Sequence, residues 1–166
     1  MKRVTLLFLL TCSLLFSEKM EEYPFLGITI STQTTDIVDV SDIDSQTETS
    51  VGIRYGRQTI DWRTMFTFEY VSDIYRSFSV EIDKILMDDM FGYPEVRPYV
   101  GAVGGIVTYL GGDDEASTYF YGANAGFIIY ATDNIDADIS YYYNKVQDFV
   151  DIDEMQGMTF ALHYFY

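Results

Sequence analysis

The stretch Tyr119–Ala131, which reads YFYGANAGFIIYA, decides the fold of this chain. Its odd positions carry aromatic, aliphatic or alanine side chains, whereas the even positions near its middle are Gly122, Asn124 and Gly126. A period of two places successive side chains on opposite faces of an extended strand. The pattern therefore predicts a β-strand with one apolar face and one face of small or polar residues.

The same alternation recurs along the chain. Six further segments show it, namely Leu26–Ile30, Val51–Tyr55, Phe66–Tyr70, Phe78–Ile82, Asp136–Tyr143 and Met158–Tyr166. An eighth segment, Arg97–Leu110, has glycines at both parities, so its two faces stay unassigned; such glycines mark bulges or bends in strands. Eight strands are thus predicted, and an even number suits a closed antiparallel barrel.

The residue types on the two faces of each strand distinguish between two barrel architectures. A soluble lipocalin-like barrel is apolar inside, whereas a membrane barrel is apolar outside. The small-residue faces also carry charges, which are Arg54, Glu69, Glu81, Asp83 and Asp138. The opposite faces carry bulky side chains, which are Phe66, Phe68, Phe127, Ile129, Phe160 and Leu162. Because an eight-stranded interior has room only for side chains that fill it, we expect the compact, charged faces to line the lumen.

Aromatic residues concentrate near the predicted strand ends. They are Trp62, Tyr70, Tyr75, Tyr99, Tyr109, Tyr119, Tyr121, Tyr164 and Tyr166. Amphipathic rings favour the two membrane–water interfaces. The pattern therefore predicts two aromatic girdles on the outside of the barrel.

Composition excludes several other classes of protein. The formal net charge is −16, while 48% of the residues are hydrophobic and 17% are aromatic. So much apolar content does not fit a disordered acidic chain. The shortage of basic residues argues against nucleic-acid binding, which needs clustered Lys and Arg. One cysteine excludes a disulfide scaffold and a cysteine zinc cluster.

The first seventeen residues have the layout of a secretory signal peptide. Met1–Ser17 reads MKRVTLLFLLTCSLLFS, with Lys2 and Arg3 before an apolar run that is short for a membrane span. Thr11 before Cys12 fits a lipobox poorly, so we assign Cys12 to the apolar run. We expect residues 1–17 to be the signal peptide and residues 18–166 to be the mature barrel domain.

The connections alternate in character. Acidic stretches Asp36–Glu48, Gly111–Ser117 and Gln147–Gln156 are expected as extracellular loops, together with a very short connection at Ser72–Asp73. Short turns are expected at 59–61 and 133–134, on the periplasmic side. The longer connection 84–96 is an exception, and residues 88–91 within it suggest one helical turn. The acidic loop residues are Asp36, Asp39, Asp42, Asp44, Asp113, Asp114, Glu115, Asp148, Asp151, Asp153 and Glu154. We interpret them as solvated loops, with weak capture of divalent cations as a hypothesis.

Three stretches resemble the small outer-membrane β-barrel family of the OmpA/OmpX type. They are RPYVGAVGGIVTY (Arg97–Tyr109), DNIDADISYYYNK (Asp133–Lys145) and MTFALHYFY (Met158–Tyr166). The resemblance implies an all-β, eight-stranded antiparallel up-and-down transmembrane β-barrel in the cell outer membrane. We expect a monomer whose partners are outer-membrane lipids. The last stretch is similar to the signal read by the barrel-assembly machinery, carried by Phe160, Leu162, Tyr164 and Tyr166.

The charged residues of the lumen faces form the candidate site. We predict an ionic network of Arg54, Glu69, Glu81, Asp83, Asp138 and His163. Buried charges must be paired, so a structural plug is favoured over a gated conduction path. His163, the only histidine, is expected to hydrogen-bond to a carboxylate.

The sequence offers no catalytic residues, metal site or cofactor. Resemblance to lipid A deacylases would need a His-x-Ser, but the chain reads His163-Tyr164-Phe165, and phenylalanine is no nucleophile. A serine from another strand, Ser79 or Ser140, leaves that alternative open. We therefore expect a non-enzymatic barrel with a structural or surface-interaction role through its acidic loops. The alternatives are a lipid-A-modifying enzyme and a soluble lipocalin-like ligand binder.

Overall fold

The structure is a computed structural model of the chain. It describes residues 21–38, 43–71, 75–86, 92–110, 116–147 and 152–166. The predicted signal peptide lies outside the described residues, and so do residues 88–91, where the helical turn was expected. No helix in the described ranges is long and apolar enough to cross a membrane.

Eight antiparallel strands form one closed barrel, in which each strand pairs with its sequence neighbours and β1 pairs with β8. The strands are β1 (Tyr23–Val38), β2 (Ile43–Gln58), β3 (Trp62–Val71), β4 (Tyr75–Ile85), β5 (Val96–Tyr109), β6 (Ala116–Thr132), β7 (Ile135–Val146) and β8 (Ile152–Phe165). This topology confirms the predicted eight-stranded up-and-down barrel. We call the end where β1 starts and β8 finishes the turn end, and the opposite end the loop end.

The strands are polar towards the lumen and apolar towards the outside. In β4, burial alternates strictly with position, so that Ser79 and Glu81 are buried while Phe78, Val80 and Ile82 are exposed. Such alternation is the period-two geometry of a strand whose two faces meet different surroundings. Because the buried face is polar and the exposed face is apolar, the barrel has the arrangement of a membrane barrel. The soluble lipocalin-like alternative is therefore wrong.

The glycine-rich strand β5 now has assigned faces. Tyr99 and Val107 are buried, whereas Val100 and Ile106 are exposed. Gly105 lies on the lumen face, where an added Cβ would come within 2.7 Å of the ring of Phe120. The missing side chain thus leaves room for a large ring from the neighbouring strand.

The interior contains apolar layers near both ends of the barrel. At the loop end, one buried cluster comprises Val71, Tyr75, Val107, Phe120, Val146 and Met155. At the turn end, two buried clusters comprise Phe25, Met65 and Phe165, and Ile85, Tyr99 and Ile128. Many buried polar residues occupy the strand positions between these layers, whereas Gln58 and Arg63 lie closer to the turn end than Met65. We call the first cluster the loop-end layer and the other two the turn-end layer.

Two expectations about the aromatic residues are wrong. Tyr75 and Tyr99 lie inside the barrel, with 7% and 1% of their surface exposed, rather than in outer girdles. Both occupy lumen-facing positions of their strands, and each hydroxyl has a buried acceptor: Tyr75 donates to Gln33 Oε1 at 2.6 Å and Tyr99 to Asp138 Oδ1 at 3.0 Å. The remaining girdle residues whose side chains are described are exposed, namely Trp62, Tyr70, Tyr119, Tyr121, Tyr164 and Tyr166.

Three of the connections at the loop end, those predicted from acidic composition, are shorter than the sequence suggested. β1 runs to Val38 and β2 starts at Ile43, so Asp36 and residues 43–48 belong to strands. The ends of two other expected loops, residues 116–117 and 152–156, are also strand. Backbone pairing stabilises a hairpin regardless of side-chain polarity, so acidic composition alone does not mark where a strand ends. The turns at 59–61 and 133–134 lie where they were expected.

Candidate functional site

The most buried charges of the lumen form an ionic triad centred on Arg63. Arg63 Nε lies 2.8 Å from Asp83 Oδ2, and Arg63 Nη2 lies 2.6 Å from Asp138 Oδ2, with no exposed surface on any of the three side chains. The ring of Tyr99 lies 4.5 Å from the guanidinium carbon. Buried charges are stable only when paired and hydrogen-bonded, and here each carboxylate has the same arginine as its partner.

Sequence reasoning missed Arg63. The alternation recognised in Phe66–Tyr70 continues towards the start of β3 and places residue 63 on the lumen face. Because Arg63 lies next to the interfacial Trp62, the segment did not stand out as part of a strand. Arg63 can be recognised in the sequence by extending the inward–outward alternation of Phe66–Tyr70 towards the N-terminus by three residues.

A lower polar network extends from the triad through Asn124. The amide of Asn124 donates to Glu81 Oε1 and, at 3.3 Å, to Asp83 Oδ1. Glu81 is therefore held beside the triad by an amide and not by an arginine. The network links β3, β4, β6 and β7 across the turn-end half of the lumen.

An upper polar network surrounds Glu69 nearer the loop end. Ser31 donates to Glu69 Oε1 at 2.7 Å, and Ser50 donates to the same oxygen at 3.4 Å. The hydroxyls of Ser31 and Thr159 lie 2.9 Å apart. Glu69 is thus stabilised by hydroxyl groups.

Arg54 lies in the lumen with 5% of its surface exposed. The predicted ionic network included Arg54, but no direct ion pair to Arg54 is formed within the described ranges. Its Nε and Nη1 atoms are buried and have no hydrogen-bond partner there. The structure therefore places all six residues of the predicted network on the lumen side but makes Arg63, not Arg54, the centre of the ion pairs.

His163 forms a separate buried pair with Asp136. The distance from His163 Nδ1 to Asp136 Oδ1 is 2.7 Å, and neither side chain is exposed. The imidazole ring packs 4.7 Å from the ring of Phe25. His163 Nε2 has no partner in the part of the chain that the structure describes. No described serine therefore hydrogen-bonds to His163 Nε2, and Ser79 and Ser140 line a central cavity.

Comparison with solved structures identifies the fold. The barrel is similar to Neisserial surface protein A (NspA), with a TM-score of 0.67 and 17% identity over 86% of this chain and 97% of that chain. The chain has the fold of the small outer-membrane β-barrels. It is also similar to Ail, the attachment invasion locus protein of Yersinia pestis (TM-score 0.53, 18% identity, 89% of this chain and 100% of that chain). No protein-family model matches the sequence, and no curated protein matches it.

A third outer-membrane barrel shows that this fold is shared at very low sequence identity. The outer membrane protein OprG from Pseudomonas aeruginosa is similar with a TM-score of 0.52 and only 10% identity, over 90% of this chain and 97% of that chain. What such barrels share is the alternation of inward and outward side chains. Sequence identity at this level supports a conclusion about the fold but not about the role of any individual residue.

The outer-membrane-type exterior of this chain includes the C-terminal strand. Phe160, Leu162, Tyr164 and Tyr166 all lie on the outer face, with 41–61% of their surfaces exposed. The described residues contain no group of three or more His, Cys, Asp or Glu side chains arranged to hold a metal ion. The candidate site is the polar lumen, which has buried apolar clusters near both of its ends.

Proposed function

We propose that this protein is an integral barrel of the bacterial outer membrane that acts without catalysis. Its role is to contribute to the envelope and to present its acidic connections at the cell surface, while its lumen stays closed. The observation that carries the proposal is the inverted distribution of side chains, with Arg63, Asp83 and Asp138 completely buried and large apolar residues such as Ile28 and Ile53 63% exposed.

The exterior supports a membrane location on energetic grounds. An exposed aliphatic or aromatic side chain loses about 1.5–3 kcal/mol relative to burial when it faces water. The outer faces of all eight strands carry such side chains, and the strands carry their charges mainly inward or near the ends. In lipid the same belt is favourable, because the surrounding hydrocarbon removes it from water.

The lumen supports a structural rather than a conducting role. The loop-end layer and the turn-end layer are both buried, with every member of the loop-end layer less than 10% exposed. Eight-stranded barrels are narrow enough for side chains to fill. A plug of this kind holds opposite walls together through the Arg63 triad and blocks a continuous aqueous path.

The acidic connections are the part of the proposal that concerns partners. NspA is named a surface protein and Ail an attachment invasion locus protein, and we extend surface contact to this chain. Weak divalent-cation capture by the acidic loop residues belongs to the same proposal; among them, Asp113, Asp114 and Glu115 lie outside the described residues. Calorimetry with millimolar Ca²⁺ tests it: heat is expected from the native chain and should decrease when these three residues are changed to amides.

Export and assembly complete the proposal. Residues 1–17 direct export, and the outward residues of β8 that end at Tyr166 are read by the barrel-assembly machinery during insertion. The mature chain, residues 18–166, then works as a monomer in contact with outer-membrane lipids. No cofactor is required for any of these roles.

Heat-modifiable gel mobility in fractionated membranes tests the central claim. An outer-membrane fraction is run on an SDS gel with and without boiling, and the unboiled sample is expected to migrate differently because the closed barrel resists SDS. A protein found in the soluble periplasmic fraction, with no mobility change, would overturn the proposal. Planar-bilayer recordings of the folded barrel test the closed lumen separately, and a steady open conductance would contradict it.

A further inference from the structure

The middle of the lumen contains a polar chamber between the two networks. Its volume is about 50 Å³. The upper network contributes Glu69 and Thr159 to its lining, the lower network contributes Glu81 and Asn124, and Arg54 lies against it from β2. The loop-end layer closes it on one side through Phe120. A cavity needs roughly 10–15 Å³ to hold a water molecule, so the chamber has room for water.

Unpartnered polar atoms concentrate on this chamber. Four of its lining residues contribute five buried atoms without a hydrogen-bond partner among the described residues, namely Arg54 Nε, Arg54 Nη1, Thr67 Oγ1, Asn124 Oδ1 and Asn144 Oδ1. Leaving a buried donor or acceptor unpaired is strongly unfavourable. Arg54, Thr67, Asn124 and Asn144 are each more than nine-tenths buried, so bulk water does not satisfy them from outside.

The chemistry of these atoms selects the ligand. Arg54 supplies donors only, the two amide oxygens are acceptors, and the hydroxyl of Thr67 is either. A bare anion in the chamber would face the carboxylates of Glu69 and Glu81, and a bare cation would face the guanidinium of Arg54. Water donates and accepts at once, and a cluster of waters can therefore satisfy the whole set.

We propose that this chamber is a built water site, and that its water cluster joins Arg54 to Glu81 of the lower network and to Glu69 of the upper network. The lumen then holds one continuous hydrogen-bonded core in place of two separate networks. Arg54 interacts with the two carboxylates through water, whereas Arg63 pairs with its carboxylates directly. The inference concerns the inside of the barrel and is independent of what the acidic connections contact.

The two lumen arginines make a matched comparison within one protein. The mature chain is folded in detergent micelles, and water-to-side-chain NOEs are recorded at the Nε–H groups of Arg54 and Arg63. Arg63 Nε donates to Asp83 at 2.8 Å, so no water contact is expected there, while Arg54 Nε is expected to show one. An Arg54 Nε–H without a water NOE, or one bonded directly to a carboxylate, would overturn the proposal.

Replacing Thr67 with valine, which has nearly the same shape, gives a second test, because a dry chamber and a water-filled chamber predict opposite changes in stability. If the chamber were dry, Thr67→Val would remove an unsatisfied hydroxyl and raise stability. If water fills it, the variant loses a hydrogen bond, and the folding equilibrium constant is expected to fall about fivefold. Thr159→Val is the control, because its hydroxyl contacts Ser31 at 2.9 Å and its loss lowers stability in both cases. A more stable Thr67→Val barrel, with the control less stable, refutes the water site.

Discussion

Replacing Arg63 with methionine is the sharpest test of the buried triad. The change keeps an unbranched apolar stem but leaves Asp83 and Asp138 without their shared cation, in a region where neither side chain is exposed. Removing one partner of a buried ion pair destabilises a protein by about 3–5 kcal/mol. Because two carboxylates lose their partner, we expect the upper part of that range, which is a factor of roughly 10³ in the folding equilibrium constant.

The assay uses the only tryptophan as its reporter. Trp62 precedes Arg63 and lies on the outer face of the barrel, so its fluorescence follows insertion and folding in lipid vesicles across a urea series. Gel mobility without boiling gives an independent measure of closure. The expected result is a much lower urea midpoint for Arg63→Met than for the native chain.

Two further variants make the result specific to buried charge. Arg57→Met removes an arginine that lies 2.8 Å from Glu22 at an exposed site, where the side chains are 64% and 51% exposed, so little change is expected. Adding Asp83→Asn and Asp138→Asn to Arg63→Met removes the unpaired charges and should recover much of the loss. If Arg63→Met is no more harmful than Arg57→Met, or if the triple variant recovers nothing, the reasoning is refuted.

Other predictions follow from the barrel wall and its last strand. Gly27→Val should abolish the gel band of the folded barrel in unboiled samples, because a Cβ there would lie 2.9 Å from the Leu162 carbonyl oxygen and 3.2 Å from His163 Nε2. Gly104→Ala is the control that should be tolerated, because the nearest atom to an added Cβ there is 3.9 Å away. Phe127→Arg places a charge on the outer face and should lower stability in vesicles by up to about 2–4 kcal/mol, depending on its depth. Tyr166→Ser should reduce outer-membrane levels in cells while leaving refolding in detergent unchanged, and equal losses in both would contradict an assembly role.

The number of strands, their topology and the side of each strand that faces the lumen were predictable from the sequence, because they depend on local alternation. The parity of Phe78–Ile82 alone places Glu81 in the lumen, and burial confirms it. Pairing within the lumen depends on register between strands that are far apart in the chain. Asp138 meets Arg63 across the barrel, and nothing local in either strand indicates which arginine of the lumen it will contact.

Strand ends were the least predictable feature for a related reason. An amphipathic alternation stops where the surroundings change, but backbone pairing continues beyond that point, as it does to Val38 in β1. Tyr75 and Tyr99 were misplaced because an aromatic residue near a strand end suits an interface and a lumen equally well. Only its parity relative to the rest of the strand separates the two positions.

The Arg63 triad has a consequence for the order of assembly. Arg63 and Asp83 lie on the neighbouring strands β3 and β4, whereas Asp138 comes from β7, late in the chain. A partly formed sheet that lacks β7 has only the Arg63–Asp83 pair, and Arg63 Nη2 has not yet gained the buried acceptor that Asp138 gives it in the finished barrel. Partial barrels are therefore expected to be short-lived, and the first and second halves of the chain should gain or lose their structure together, as a single cooperative unit.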